Sequence, residues 1–303
     1  MIRNGVLIDD TFAEAFPMKA VRLVVTAHDM KWARHAAVSA TGFATSVIGC
    51  GCEAAIEREL APDATPDGRP GVALLMFSMS GKELAKQVER RVGQCVLTCP
   101  TTAVFSGIAA GAAADEIALA KNLRFFGDGW QISKVIAGVR YWRIPVMDGE
   151  FVAAETCSVT RAVGGGNLLL LATDTDSALA AAEAAVEAMR RLPNVIMPFP
   201  GGVVRSGSKV GSKYAALSAS TNDAFCPGLF GLVSHSELSS ETRCVLEIVI
   251  DGLSQDDVAA AMRAGLLSGI ERGAGRGLLR ISAGNYGGKL GPYHFHLRRL
   301  LEV

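Results

Sequence analysis

The chain has 303 residues, half of them hydrophobic and one fifth charged, which excludes a disordered chain and leaves length for two domains or one large one. The 30 Lys and Arg residues balance the 30 Asp and Glu residues, so the formal net charge is zero. Since no basic run is present either, the sequence predicts no binding to nucleic acid or to an acidic membrane surface.

The first half of the chain alternates between the hydrophobic period of strands and that of helices. The predicted elements are a strand over 20–27, a helix over 30–42, a strand over 71–79 and a helix over 81–96. Gly42 is the predicted stop of the first helix, because glycine commonly follows the last helical residue.

The second half of the chain repeats this alternation. The predicted elements are a strand over 166–174, a helix over 177–192, a strand over 243–253, a helix over 255–272 and a strand over 277–284. Asp176 or Ser177 is the predicted N-cap of the first helix, and Ser254 that of the second, because their side-chain oxygens can accept from free backbone NH groups.

The order of elements in each half is typical of the split βαβ, ferredoxin-like unit. The sequence therefore predicts an α+β protein made of two pseudo-symmetric ferredoxin-like lobes. We expect the N-terminal lobe to comprise residues 1–152 and the C-terminal lobe residues 153–303.

The cysteines and the termini bear on the cellular compartment. Seven cysteines are an odd number in a chain too long to need disulfides, so we interpret them as free thiols in a reducing cytoplasm. The acidic N-terminus is unlike a signal peptide, and no apolar stretch has the roughly 20 residues needed to cross a bilayer. We therefore expect a cytoplasmic protein without a membrane partner.

Several motifs are candidate binding sites. The segment SGSKVGSKY (206–214) lacks the residue order of a phosphate loop, so it is either a solvated loop or an anion site formed by Lys209 and Lys213, which have no obvious acidic partner in sequence. His294 and His296 alternate along one strand face, but without a third ligand nearby a surface face is the favoured interpretation and no metal site is predicted. Cys226 lies in a polar loop, but nothing marks a base for it.

The strand over 243–253 contains a carboxylate in an otherwise apolar run. Glu247 shares one face with valines, while Leu246 and Ile248 share the other. An exposed face or an ion pair would be the simplest explanation. If Glu247 is instead covered, desolvation raises its pKa and keeps it protonated near neutral pH. A protonated carboxyl can donate to an oxyanion or protonate a leaving amine, which suits acyl transfer without a nucleophilic side chain.

Ten blocks of sequence follow one another along the chain and together indicate a family. They are IDDTFAEAF, ATGFATSV, TPDGRPG, GQCVLTCPT, FFGDGWQ, PFPGGVV, SKVGSK, ASTNDAFCP, CVLEIVIDGL and ISAGNYGGKLG. In this order they closely resemble the formylmethanofuran:tetrahydromethanopterin formyltransferases. The resemblance implies a two-lobed protein that forms dimers or tetramers. It also implies formyl transfer between the amine of methanofuran and N5 of tetrahydromethanopterin, both acting as co-substrates, with no tightly bound cofactor.

The resemblance also implies roles for particular residues. The catalytic glutamate of the family corresponds to Glu247. The candidate substrate-binding residues lie in the matching blocks and loops and are Phe126, Gly127, Asp128, Pro200, Gly201, Gly202, Ser208, Lys209, Ser212, Lys213, Thr221, Asn222, Asp223, Asn285 and Gly288. Among these, the amides of Asn222 and Asn285 are candidate contacts for the pterin or for an oxyanion.

The bulk character of the chain suggests the direction of the reaction. With 21 Arg against 9 Lys and no net charge, the sequence differs from the acidic archaeal members and indicates a methylotrophic bacterium. There the resemblance implies transfer from the formyl pterin to the methanofuran carrier, with formyl hydrolase subunits as partners that release formate. The alternative is a non-catalytic subunit that binds or docks a carrier in such a complex. A nucleotide-dependent ligase would need a phosphate loop, which the sequence lacks.

Overall fold

The computed structural model describes residues 1–108 and 115–302, and it contains both helices and mixed β-sheet. The chain forms two compact units. Met1–Pro17 and Val163–Val303 make up what we call the terminal unit, and Met18–Ala162 make up the central unit. The chain passes between the units at residues 17–18 and again at residues 162–163.

The strands and helices are as follows. The strands are β1 (Ile2–Arg3), β2 (Val6–Ile8), β3 (Phe12–Thr26), β4 (Glu53–Leu60), β5 (Gly71–Ser78), β6 (Ala103–Ser106), β7 (Asp115–Ala118), β8 (Ile132–Ile136), β9 (Val139–Val146), β10 (Gly149–Ala154), β11 (Thr156–Ala172), β12 (Val195–Ile196), β13 (Ser208–Val210), β14 (Ala219–Thr221), β15 (Cys244–Gly252), β16 (Leu278–Ser282) and β17 (Tyr293–His296). The helices are α1 (Met30–Thr41), α2 (Val47–Cys50), α3 (Gly81–Arg91), α4 (Thr175–Arg190), α5 (Gln255–Gly273) and α6 (Leu297–Glu302). A π-helical stretch, Val92–Val96, follows α3 directly.

The division into units differs from the predicted boundary after residue 152. Val6 and Ile8 of β2 are fully buried in the core of the terminal unit, and β2 pairs in parallel with β16. The N-terminus therefore belongs with the C-terminal half, and the second crossing lies ten residues later than predicted. Sequence order alone places residues 1–17 in the N-terminal lobe, because no local pattern shows that β2 pairs with a strand near the other end of the chain.

The sheet of the terminal unit has one face covered by helices. In antiparallel register, β11 pairs on one side with β15 and on the other with β16. Leu168, Leu170 and Ile248 are buried with α4 and α5 on this face. The two helices pack tightly through small residues: a Cβ on Gly265 of α5 would lie 1.9 Å from the Met189 Cε atom of α4.

The capping residues of these two helices test the predicted starts. Ser254 caps α5 as predicted, its hydroxyl accepting from the backbone NH of Asp257 at 3.1 Å. The N-cap of α4 is neither Asp176 nor Ser177 but Asp174, which accepts from the Ser177 backbone NH at 2.8 Å. Asp174 has extended backbone angles, so the helix begins at Thr175, two residues earlier than predicted along the same polar run.

The central unit has its own core. Strand β3 pairs in antiparallel register with β5 and β6, and β4 extends the sheet beyond β5. Small and branched residues of α1 and α3, including Ala33, Ala37 and Val88, are fully buried against these strands. In the described part of the chain, no helix combines the length and the apolar character needed to cross a membrane.

Candidate active site

The position of Glu247 follows from the alternation of side chains along β15. Leu246 and Ile248 belong to the core under the helices, so Glu247 points to the other face of the sheet. In register, Glu247 is opposite Leu169 of β11, which is itself opposite Ser282 of β16. These three side chains therefore share the face that the helices leave open, and the face predicted for Glu247 is correct.

That open face is one wall of a cavity of about 500 Å³, which we call the Glu247 cavity. Residues of the irregular segment 203–243 and of the loop that follows β16 complete its walls. The polar side chains that line it with Glu247 include Asn167, Lys209, Asn222, Asn285 and Tyr286. The cavity lies entirely within the terminal unit.

The irregular segment is attached to the sheet at Glu247 itself. The backbone NH of Glu247 donates to the Val204 carbonyl at 2.9 Å, and the NH of Val204 donates to the Glu247 carbonyl at 2.7 Å. Three residues further on, Gly207 passes beside the carboxyl group: a Cβ there would lie 3.6 Å from Oε2 of Glu247. These bonds place the segment over the carboxyl group without using its oxygens.

Burial shifts the carboxyl group of Glu247 toward its neutral form. Within residues 1–108 and 115–302 its oxygens make no hydrogen bond or ion pair, and burial raises the pKa of the carboxyl to about 7. The side chain is half-buried, because the face that looked apolar in sequence is a cavity wall. Glu247 can therefore donate a proton at neutral pH and still be reached by a ligand.

Asn167 is a cavity residue that sequence reasoning missed. It lies in β11, and its Oδ1 accepts from the Gly284 backbone NH at 2.6 Å while its Nδ2 donates to the Gly284 carbonyl at 3.1 Å. The loop after β16 is thereby tied to the sheet. An amide in the apolar run GNLLLLA was the available signal, since a buried amide needs partners for both its donors and its acceptor.

Asn285 lines the cavity, but its amide group is engaged in the loop. Nδ2 donates to Thr11 Oγ1 at 3.1 Å and to the Phe12 carbonyl at 3.2 Å, and Oδ1 accepts from the Gly287 NH at 3.1 Å. Both amide hydrogens are therefore used within the protein. Asn285 shapes the wall of the cavity and offers no free donor to an oxyanion in this conformation.

Lys209 has an acidic partner, so the prediction that it has none is wrong. Its Nζ lies 2.6 Å from Oδ2 of Asp223, whose Oδ1 lies 3.2 Å from Nε2 of His235. The hydrogen bonds from Lys209 and then from His235 lower the pKa of Asp223 to about 2. The antiparallel pairing of β13 with β14 brings residues 209 and 223 together. The sequence does not predict this contact, because no spacing pattern indicates the pairing of a polar hairpin.

The other predicted residues divide into groups. Ser208, Lys209 and Asn222 join Glu247 in its cavity, as does Asn285. A second hollow of about 420 Å³ along the β13–β14 hairpin, which we call the hairpin hollow, is lined by Lys209, Val210, Gly211, Ser212, Lys213, Tyr214, Ser220, Thr221 and Asp223. Lys209 is common to both spaces.

The remaining predicted residues do not line the Glu247 cavity. Pro200, Gly201 and Gly202 form a 3₁₀ turn, and a Cβ on Gly202 would lie 2.8 Å from Val186 of α4, on the helical side of the sheet. The backbone NH of Gly288 donates to Glu14 at 2.9 Å. Phe126, Gly127 and Asp128 are in the central unit, where Phe126 lines a separate apolar cleft of about 650 Å³.

In the described parts of the chain, no group of three or more His, Cys, Asp or Glu side chains is arranged to hold a metal ion. His294 and His296 of β17 both pack against the ring of Phe12, with ring centroids 4.8 Å and 5.2 Å away.

Comparison with known proteins identifies the family. Its model, formylmethanofuran-tetrahydromethanopterin formyltransferase, matches residues 1–146, and the model of the family's proximal lobe matches residues 149–300. A formylmethanofuran–tetrahydromethanopterin formyltransferase of Methylococcus capsulatus is 67% identical over 301 residues, covering 99% of this chain and 100% of the relative.

Two solved structures support the same assignment and the mixed α+β fold. The formyltransferase/hydrolase complex of Methylorubrum extorquens with methylofuran contains a chain that is 51% identical, with a TM-score of 0.96 and coverage of 99% and 98%. The formyltransferase of Methanosarcina barkeri is 45% identical, with a TM-score of 0.92 and coverage of 99% and 100%. The resemblance inferred from ten sequence blocks is therefore confirmed, and the chain belongs to the formylmethanofuran–tetrahydromethanopterin formyltransferase family.

Proposed function

We propose that this chain transfers a formyl group between N5 of tetrahydromethanopterin and the amine of a methanofuran-type carrier, with Glu247 as its acid–base group. The observation that supports this role best is a carboxyl group with a pKa of about 7 in the wall of an accessible cavity. Acid–base groups work best with a pKa near the working pH. The two carriers are those of the related formylmethanofuran–tetrahydromethanopterin formyltransferases.

The proposed reaction needs no nucleophilic side chain. The lone pair of the incoming amine attacks the formyl carbon, and the carbonyl electron pair moves onto oxygen. As the oxyanion collapses, the bond to the leaving nitrogen breaks and Glu247 gives that nitrogen its proton. The Glu247 carboxylate then takes the extra proton from the newly acylated nitrogen, which restores the neutral acid. Both carriers enter and leave as co-substrates, and a tightly bound cofactor has no part in this proposal.

The hairpin hollow is a proposed contact for anionic parts of a carrier. Lys213 is exposed there and has no ion pair within residues 1–108 and 115–302. The ammonium group of Lys209 is already paired with Asp223, so we assign the larger share of anion binding to Lys213. Ser212 and Thr221 line the same hollow and can add hydrogen bonds to an anion.

The setting of the reaction is also a proposal. The related Methylorubrum chain occurs in a formyltransferase/hydrolase complex, so we propose hydrolase partners and transfer from the pterin to the furan carrier for this chain. N-formyl transfer exchanges similar bonds, and hydrolysis of the product would give it a net direction. A cytoplasmic location, a dimer or tetramer, and a ferredoxin-like arrangement within each of the two units belong to the same proposal.

An assay of the purified chain tests the activity. Given formyl-tetrahydromethanopterin and methanofuran, without metal or nucleotide, the chain should form formylmethanofuran. If the folded chain binds both carriers but transfers nothing, it is instead a carrier-binding subunit. Mild purification from cells growing on one-carbon compounds, followed by mass analysis, tests the partners: a homo-oligomer without a hydrolase subunit would contradict the proposed complex.

A further inference from the structure

Tyr286 lines the same cavity as Glu247 and carries a hydroxyl group. The residue lies in the loop after β16, and its ring packs against Phe16 with centroids 6.1 Å apart. Within residues 1–108 and 115–302 the phenol makes no hydrogen bond with the protein. The side chain is 38% exposed, so a ligand can reach it. The amide of Asn285, beside it in the sequence, is by contrast engaged inside the loop.

The loop that bears Tyr286 is held by one buried carboxylate. Glu14 of β3 is 1% exposed and accepts four backbone NH groups from the loop. Oε2 accepts from Tyr286 at 2.7 Å and from Gly288 at 2.9 Å, and Oε1 accepts from Leu290 at 2.6 Å and from Gly291 at 2.7 Å. Four donors converging on one carboxylate fix the backbone at Tyr286 itself.

The protonation states of these groups are complementary. Burial would raise the pKa of Glu14, but the four backbone donors, that of Gly291 first, outweigh it and lower the pKa to about 2. Glu14 is therefore a permanent anion. Burial, and after it the charges of Glu247 and Glu14, raise the pKa of the Tyr286 phenol. The phenol therefore keeps its proton over the working range and is always available as a donor.

We propose that Tyr286 is a second catalytic residue, whose hydroxyl donates a hydrogen bond to the oxygen of the tetrahedral intermediate, and that Glu14 is the positioning residue that holds Tyr286 in place. This inference rests on the proposed formyl transfer. The phenol proton is not transferred: it stays on Tyr286 while the negative charge forms on oxygen and disappears again. Glu247 alone transfers a proton, and it does so at the leaving nitrogen. Tyr286 stabilises the oxyanion, because one carboxyl group cannot act on the oxygen and on the nitrogen at once.

The variant Tyr286→Phe tests the proposal with little risk to the fold, because the ring remains against Phe16. We expect kcat to fall by a factor on the order of 10² to 10³, as the loss of one oxyanion donor does. KM for both carriers should stay within about threefold, since the donor acts only in the transition state. The matched control is Tyr293→Phe, which removes a hydroxyl from β17 in the same unit but outside the cavity, and it should leave kcat unchanged.

The role of Glu14 is tested by Glu14→Gln alone and together with Tyr286→Phe. In Glu14→Gln, an NH₂ group replaces one of the oxygens that accept from two backbone NH groups. The loop should therefore shift, Tyr286 should be misplaced, and kcat should fall. In the Tyr286→Phe background the same change should lower kcat little further, whereas a merely structural role would make the two losses multiply. Wild-type kcat in Tyr286→Phe would overturn the proposal while leaving formyl transfer standing. An inactive wild-type chain would instead overturn the transfer itself, and this inference with it.

Discussion

At the scale of the residue, Glu247 differs from an ordinary surface glutamate in its surroundings alone. The same side chain in water has a pKa near 4.5, and burial in the cavity wall raises the pKa to about 7. Glu14 binds the loop that follows β16, which also lines the Glu247 cavity. Its pKa is about 2, because four backbone donors outweigh burial. The pKa values of two glutamates in one unit are thus shifted in opposite directions, and the difference is set by the donors that each carboxyl group meets.

Glu247→Gln should keep the fold and lower kcat by a factor on the order of 10² or more, because Gln cannot transfer a proton. In the unmodified chain, kcat/KM should fall as pH rises through about 7, where Glu247 loses its proton, and the variant should lack this descending limb. Steady-state rates between pH 5.5 and 9 test both points. Near-wild-type turnover in the folded variant would remove Glu247 from the mechanism.

The same substitution should change stability in a pH-dependent way. The folded state binds the Glu247 proton more tightly than the unfolded state, so its contribution is fully present below pH 4.5 and is lost as pH rises to about 7. Glu247→Gln should therefore gain stability over the unmodified chain across this range, reaching about 1 to 2 kcal/mol at pH 8. Urea unfolding at pH 5 and pH 8 measures it. An equal difference at both values would mean that Glu247 is not desolvated in solution.

At the scale of the element, the β13–β14 hairpin should contribute binding rather than chemistry. Lys213→Met should raise KM for a carrier by about tenfold, the loss expected for one charged hydrogen bond, with kcat little changed. Lys209→Met should have a smaller effect on KM, because its ammonium group is already paired with Asp223.

Salt dependence and a matched variant check this prediction. The effect of Lys213→Met should shrink at high ionic strength, which screens exposed charges. Lys134→Met, an exposed change in β8 of the central unit, should leave KM unchanged. If the three lysine variants had the same KM for both carriers, the hairpin would not be a binding element.

The loop that follows β16 is packed too closely against β3 to accept a side chain at Gly291. A Cβ there would lie 2.2 Å from the Ala15 carbonyl oxygen, a backbone atom that cannot move cheaply. Gly291→Ala should therefore destabilise the protein by about 2 kcal/mol and lower kcat by shifting Tyr286. Gly228→Ala is the control, because its new Cβ meets nothing within 4 Å. Thermal unfolding and turnover of both variants would show whether the loop position matters; equal values would argue that it does not.

At the scale of the whole molecule, the first residues of the chain complete the terminal unit. Deleting residues 1–8 removes Val6 and Ile8 from its core and leaves β16, which lines the Glu247 cavity, without its parallel neighbour. The free energy of unfolding of the terminal unit should fall by about 3 to 6 kcal/mol, because two buried aliphatic side chains are lost. Limited proteolysis should then cleave residues 163–302 well before residues 18–162. Equal protection of both ranges would contradict the division into units.

The period-two alternation of β15, read from sequence alone, determined the face on which Glu247 lies, because successive side chains of a strand must point to opposite sides. Ten blocks in order likewise determined the family, and Ser254 and Gly42 marked helix ends correctly through local capping chemistry. Such features depend on neighbours a few residues away, so the sequence is sufficient for them.

Only the tertiary structure decided which distant groups meet. Three sets of contacts join segments whose separation in the chain does not determine their distance in space. They are the ion pair of Lys209 with Asp223, the side-chain amide hydrogen bonds of Asn167 and Asn285, and the four backbone NH groups that donate to Glu14. The same holds for β2, whose parallel pairing with β16 joins the first residues of the chain to its C-terminal half. Long-range contacts depend on how strands are paired, and strand pairing is a property of the folded chain as a whole rather than of any local pattern.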